Sequence, residues 1–144
     1  MNRSITISLL IMFLLLSACG SGSTPQPAAE VVGKQVAVDG GGSYTDVSVA
    51  ELQTMLANKD FTFINVHIPF EGNIANTDLS IPYDQVAQNL DKLPDKDAKI
   101  VLYCRSDRMS NIAAKELVGL GYTNLWNLDA GMVAWEAAGL PIEH

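Results

Sequence analysis

The stretch KIVLYCRSDRMSNIAAKEL, from Lys99 to Leu117, joins an apolar run to a helix-like pattern. The run is nearly uninterrupted, which is typical of a strand covered on both faces of a parallel sheet. From Met109 onward, apolar side chains recur at helical spacing, and Gly119 and Gly121 end that helix. Cys104 stands where strand meets helix. It is either a nucleophile in a loop built for anions or a small core residue with charged neighbours.

The flanking segments continue the alternation of strands and helices. Ser48 and Glu51 fit a capping box at the start of a helix, and Phe61–Val66 predicts a strand. The remaining predicted elements are a helix through Val86, Leu90 and Leu93 that Pro94 ends, a strand within 122–129 and a short helix within 130–139. This order predicts an α/β fold with a mostly parallel sheet and helices on both faces. In such sheets ligands bind beyond the carboxyl ends of the strands, where Cys104 falls.

Composition limits the classes of function. The chain has 144 residues, of which 48% are hydrophobic and 17% charged, which suits one globular domain of about 100 residues. The formal net charge of −7 argues against nucleic acid as a partner, because phosphate binding needs clustered Lys and Arg.

The N-terminus has the pattern of an export signal. A short positive start precedes an apolar run of 12 residues, too short for a membrane-spanning helix, which needs about 20. The sequence LSAC that follows, Leu16 to Cys19, resembles the lipobox of bacterial lipoprotein precursors. That resemblance implies a signal peptide over 1–18, a lipid on the Cys19 sulfur and a location in the bacterial cell envelope on the exocytoplasmic side.

A linker and one domain are predicted to follow. Gly20–Ala29 is rich in Gly, Ser, Pro and Ala, and as a flexible coil it would reach about 15–20 Å. We divide the remainder into a lipidated N-terminus and linker over 19–43 and a globular domain over 44–144, with Val31–Val38 able to add a short strand. With Cys19 lipidated, Cys104 has no partner for an intramolecular disulfide, so it is a candidate reactive thiol or an inert buried residue.

The charges around Cys104 favour an anionic sulfur. Arg105, Arg108 and the positive end of the helix that follows all lower the free energy of a thiolate, while Asp107 opposes them. Successive backbone N–H groups in a turn between strand and helix can also bind an anion. The loop therefore suits a thiolate, a persulfide or an oxyanion.

Residues 103–135 resemble the second half of a rhodanese-like domain, whose usual form is roughly YCRSGxRSxxAAxxLxxxGYxxVxxLxGGxxAW. The matching residues are Tyr103, Cys104, Arg105, Ser106, Ser110, Ala113, Ala114, Leu117, Gly121, Tyr122, Leu128, Gly131, Ala134 and Trp135. The first half agrees more weakly, in FTFINVH and EGNI, and the resemblance covers about 43–142. It implies sulfurtransfer without a cofactor, from a small sulfur-containing anion such as thiosulfate to cyanide, a thiol or an envelope protein.

The site residues follow from this resemblance. Cys104 would be the catalytic nucleophile that carries the sulfur as a persulfide. The substrate-binding residues would be those of the loop, namely Arg105, Ser106, Asp107, Arg108, Met109 and Ser110. Related phosphatase loops place an arginine six residues after the cysteine, and because Ser110 occupies that position, phosphatase chemistry is disfavoured.

Several positions depart from the family pattern. Asn65 and His67 stand where the family has an aspartate and an arginine, so the usual ion pair is absent. Asp107 stands at the usual glycine position, although aspartate tolerates a left-handed backbone better than most residues. These departures keep two other functions open, a non-catalytic binding module and a thiol redox sensor. We interpret His67 as a structural polar residue, and with His144 as the only other histidine, no metal ligand set is indicated.

Overall fold

The computed structural model describes residues 31–144. These residues form six strands and three α-helices, with two short 3₁₀ helices between the fourth and fifth strands. In chain order they are β1 (Lys34–Ala37), β2 (Ser43–Val47), α1 (Val49–Ala57), β3 (Thr62–Asn65), β4 (Leu79–Ser80), the 3₁₀ helices Tyr83–Gln88 and Leu90–Lys92, β5 (Ile100–Tyr103), α2 (Arg108–Gly119), β6 (Leu125–Leu128) and α3 (Gly131–Ala137).

The strands form one sheet in the order β1-β2-β6-β5-β3-β4. All neighbouring strands are parallel except β1, which runs antiparallel to β2 with Lys34 opposite Asp46. The predicted α/β fold with a mostly parallel sheet is therefore confirmed. All four residues of β5 are buried, as expected for a strand at the centre of the sheet and covered on both faces.

The sheet separates two apolar cores. The helix α2 and the 3₁₀ segment pack on one face, over buried residues that include Ile64, Leu102 and Leu117. The other face is covered by α1 and α3, whose Leu52 and Trp135 belong to the second core. Alternate residues of β5 serve the two cores, because successive side chains of a strand point to opposite faces. The two layers of helices hold the end of β5 in place.

The predicted helix through Val86, Leu90 and Leu93 is wrong in type. The structure has two 3₁₀ helices there, separated at Asn89, whose φ of −123° lies outside the helical range. The Asn89 and Leu93 N–H groups each bond the carbonyl three residues earlier, at Val86 and Leu90. Apolar spacing of three and four residues fits one face of either helix type, so the pattern could not distinguish them.

The predicted start of α1 is confirmed. The Ser48 hydroxyl accepts the Glu51 N–H at 3.3 Å, and the Glu51 carboxylate accepts the Ser48 N–H at 2.8 Å. This reciprocal pair satisfies two of the free N–H groups at the helix N-terminus.

The predictions for the N-terminus fall largely outside the described residues. The signal peptide of 1–18, the Cys19 lipid and the linker Gly20–Ala29 all precede residue 31. Within 31–144, β1 forms in the segment expected to add a short strand, N-terminal to the domain start placed at residue 44. Across those same residues no helix is long and apolar enough to cross a membrane.

Candidate active site

Cys104 follows the last residue of β5 and is 2% exposed. Its sulfur lies 3.4 Å from the Ser110 hydroxyl, which can donate a hydrogen bond to it. Its carbonyl oxygen accepts the Met132 N–H at 2.9 Å, and the next carbonyl, of Arg105, accepts the Val133 N–H at 3.0 Å. The first turn of α3 thus fixes two peptide groups of the loop, and with them the position of the thiol.

The loop surrounds a small cavity of about 150 Å³. Its lining residues are His67, Cys104, Arg105, Ser106, Arg108 and Met109. Within the described part of the chain, none of the backbone N–H groups of residues 105–110 donates a hydrogen bond to another protein group. These N–H groups precede or begin α2, so they are available to an anion in the cavity.

The two arginines of the loop differ in their partners. Arg105 is held by two carboxylates, with Nε 3.1 Å from Glu71 Oε2 and Nη1 2.9 Å from Glu136 Oε2. Arg108 forms no ion pair with any residue between 31 and 144 and is exposed at the cavity. Arg108 is therefore the cation with its charge available to a bound anion, whereas Arg105 links the loop to the 67–73 segment and to α3.

Asp107 shapes the turn and directs its carboxylate away from the cavity. Its φ of +78° is left-handed, which confirms that aspartate is accommodated at the position of the usual glycine. Asp107 Oδ1 accepts the side-chain amide of buried Asn127 at 3.3 Å, and the same amide lies 2.9 Å from Asp46 Oδ1. Burial, with Asp129 nearby, raises the pKa of Asp107 above 3.8, although the Ala130 N–H and the Asn127 amide oppose the rise.

The substitution Asp107→Asn should stabilise the domain at neutral pH by up to about 1 kcal/mol. Because the folded-state pKa of Asp107 is raised, ionisation costs stability, and that cost appears as pH rises through the folded-state pKa. An asparagine keeps the tolerance for positive φ and removes the charge beside Asp129. Denaturant unfolding should show the stabilisation at pH 7 and its disappearance near pH 4, close to the ordinary aspartate pKa.

Asp39→Asn supplies the matched control. Asp39 is an exposed carboxylate in the turn between β1 and β2, so its neutralisation should shift the free energy of unfolding little at either pH. A stabilisation by Asp107→Asn that persists undiminished in acid would contradict the electrostatic cause.

Two polar residues near the end of β3 organise the opposite side of the cavity. Asn65 donates to the Gly72 carbonyl at 2.9 Å and to Asn73 Oδ1 at 3.0 Å, and its own Oδ1 accepts the His67 N–H at 2.9 Å. The sequence predicts that the family's aspartate–arginine ion pair is absent from this chain. The Asn65 hydrogen bonds hold the 67–73 segment instead. His67 reaches the cavity itself, a placement that the sequence signalled only by its departure from the family pattern.

The structure brings most of the predicted site residues together. Cys104, Arg105, Ser106, Arg108 and Met109 line the cavity, and Ser110 contacts the sulfur. The Asp107 side chain does not line the cavity. Binding of substrate by Asp107 stays a prediction, and the contact would have to come from its backbone N–H group. The binding roles of the other five also stay predictions.

Comparisons with known proteins find one matching family model and several similar proteins. The family model described as "Rhodanese-like domain" matches residues 48–138. An Allochromatium vinosum protein named sulfurtransferase is 32% identical over 93 residues, covering 62% of this chain and 85% of that protein. A tRNA uridine(34) hydroxylase of Escherichia coli K12 is 26% identical over 107 residues, and the match covers 67% of this chain but only 31% of the hydroxylase.

Solved structures show the same fold. A rhodanese-related protein from Thermoplasma volcanium has a TM-score of 0.58 and 28% identity, with 67% of this chain and 95% of that one aligned. A rhodanese-like domain protein from Staphylococcus aureus has a TM-score of 0.58 and 27% identity, with 69% and 98% aligned.

Proposed function

The chain belongs to the rhodanese-like domain family, and on this premise we propose that it is a sulfurtransferase in which Cys104 carries a sulfane sulfur as a persulfide. The observation that carries the proposal is the position of Cys104 at the carboxyl end of β5, in a cavity surrounded by unbonded N–H groups and Arg108. The relative named sulfurtransferase, matched over most of its length, supports the same activity.

The first step loads the sulfur. The Cys104 thiolate attacks the outer sulfur of thiosulfate, the S–S bond of thiosulfate breaks, and its electron pair leaves with sulfite. The product is the Cys104 persulfide anion. The loop N–H groups and Arg108 stabilise both the thiolate and the persulfide, because fixed donors need no reorganisation as charge moves.

The second step transfers the outer sulfur from the Cys104 persulfide to an acceptor. A nucleophilic acceptor, cyanide or a thiol, attacks the outer sulfur of the persulfide, and the Cys104 thiolate is the leaving group. A cavity of about 150 Å³ holds only a few water-sized groups, which suits a small anion and the reactive end of a thiol.

Two features favour sulfur transfer over the other functions considered from the sequence. A non-catalytic binding module was suggested by Asp107, but the carboxylate of Asp107 lies against Asn127 and leaves the cavity open. A redox sensor is disfavoured because the relative that this chain matches over 85% of its length is named a sulfurtransferase.

The location is a separate part of the proposal. We infer that Cys19 is cleaved to the N-terminus and lipidated, so that the domain is held at a membrane on the exocytoplasmic side of a bacterial envelope. The LSAC sequence and the apolar run before it support this inference.

Intact-mass analysis of the full chain tests both parts. After incubation with thiosulfate and removal of the donor, the protein should be heavier by one sulfur atom, and cyanide should remove that mass. The protein isolated from bacterial membranes should begin at Cys19 and carry acyl groups. If no donor adds sulfur to Cys104, the proposed chemistry is wrong, and an unmodified N-terminus would refute the anchor alone.

A further inference from the structure

His67 presents a buried imidazole to the cavity of Cys104. It lies just beyond β3, the strand that pairs with β5, and its side chain is 9% exposed. Neither ring nitrogen makes a hydrogen bond within the described residues, although both are fully buried. Buried polar groups in folded proteins are almost always hydrogen-bonded, so an unpartnered imidazole in a cavity indicates that the occupant of the cavity supplies the partner.

Charged groups lie close to the His67 ring. Glu71 Oε2 lies 3.6 Å from His67 Nε2 and also accepts Arg105 Nε. Cys104 and Arg108 line the same cavity as His67.

The family pattern has an arginine at this position, and the difference is chemical. An arginine side chain stays protonated at any physiological pH and cannot accept a proton. An imidazole can accept and return one near neutral pH. The unbonded ring nitrogens favour a chemical role for His67 over the structural role expected from the sequence.

We propose that His67 is the catalytic base that deprotonates a thiol acceptor, which directs this protein toward weakly acidic thiols. The inference rests on the proposed sulfurtransferase activity. The acceptor thiol gives its proton to the imidazole, and the resulting thiolate attacks the outer sulfur of the protonated Cys104 persulfide. The S–S bond breaks with its electron pair going to Cys104 Sγ, which leaves as the thiolate, and the acceptor departs as a persulfide.

The proton balance closes over one turnover. The imidazolium formed in the discharge step loses its proton to water, and the persulfide anion that the next donor creates on Cys104 takes a proton from water. No oxidant, reductant or cofactor is needed, since the donor supplies the sulfur and releases sulfite, and the acceptor thiol supplies the proton of its own product.

Two thiols of similar size and different acidity isolate the role of the base. Ethanethiol is largely protonated near neutral pH, whereas 2,2,2-trifluoroethanethiol is far more acidic because of its fluorines. The full chain is loaded with thiosulfate and the donor removed. The discharge rate is then followed by intact mass with each thiol, at a pH at which only the fluorinated thiol is ionised.

His67→Gln should slow discharge to ethanethiol by about 10²-fold. Discharge to trifluoroethanethiol should stay close to the wild-type rate, because that thiol has already lost its proton. His67→Arg should behave like His67→Gln, since it restores a cation without restoring a base. His144→Gln, at the only other histidine of the chain, should leave both rates unchanged.

Other results would overturn the inference. Equal slowing with the two thiols would mean that His67 only packs or positions, and an unchanged ethanethiol rate would mean that it takes no part. A variant that still gains sulfur from thiosulfate is folded and carries out the first step. Its discharge rate then tests the role of His67 separately from the proposed sulfurtransferase activity. A wild-type protein that never gains sulfur would refute both.

Discussion

Replacing Cys104 with serine should reduce sulfur transfer by about 10⁴-fold or more and leave the fold intact. Serine has the shape of cysteine and can still accept the hydrogen bond from Ser110. Its hydroxyl, however, is not ionised at neutral pH and is a poor nucleophile without an activating base. In the cavity there is no second sulfur nucleophile, because Cys104 is the free cysteine of residues 31–144 and Met109 is a thioether.

The assay for this prediction couples thiosulfate to cyanide and measures thiocyanate. Circular dichroism and thermal unfolding of Cys104→Ser should match the wild type. The matched control is Cys19→Ser, which changes the other cysteine of the chain and should keep the activity of the purified protein. Equal activity in wild type and Cys104→Ser would show that the measured transfer does not pass through this thiol.

Gly131→Ala should destabilise the domain by about 2–4 kcal/mol and disturb the site at the same time. A Cβ on Gly131 would lie 2.2 Å from the Cys104 carbonyl oxygen and 3.0 Å from the Arg105 carbonyl. These carbonyls accept the hydrogen bonds from α3 that fix the loop, so relieving the clash moves the thiol and its N–H groups. The φ of +53° adds the ordinary cost of a left-handed alanine.

Gly139→Ala separates the clash from the backbone cost. Gly139 has a φ of +78°, and a Cβ there meets nothing within 4 Å. It should lower the free energy of unfolding by only about 1 kcal/mol and leave sulfur transfer unchanged. Denaturant unfolding and the thiocyanate assay on both variants check this. Similar effects from the two substitutions would argue against the contact with Cys104 as the cause.

Much of the fold could be predicted because local and global signals agree. The apolar run before Cys104 is a fully buried central strand, and the Ser48–Glu51 pair caps α1 as its spacing indicated. The strand-end position of Cys104 followed from that alternation, and it places the thiol where parallel sheets bind ligands. The 3₁₀ segment escaped prediction because its helix type depends on backbone angles at Asn89 that apolar spacing does not record.

The electrostatics of the site could not be predicted from sequence neighbours. Arg105 is adjacent to Cys104, yet its partners Glu71 and Glu136 come from distant segments that the sheet brings together. The sequence predicts that Asp107 weakens the positive field of the loop. In the structure, Asn127 on β6 donates a hydrogen bond to the Asp107 carboxylate, which does not line the cavity. Along the chain, β4, the two 3₁₀ helices and β5 separate His67 from Cys104. The pairing of β3 with β5 brings the imidazole to the cavity that the thiol lines.

The antiparallel direction of β1 determines where the chain enters the domain relative to the Cys104 cavity. Lys34, at the start of β1, lies opposite Asp46 near the carboxyl end of β2. The chain therefore enters the domain at the edge of the sheet where the parallel strands end, which is also the edge that carries the Cys104 cavity. With the anchor proposed at Cys19, the intervening segment, if it behaves as a flexible coil, would span about 20 Å. Such a tether would keep the carboxyl edge of the sheet, and with it the Cys104 cavity, within reach of acceptors held in that membrane.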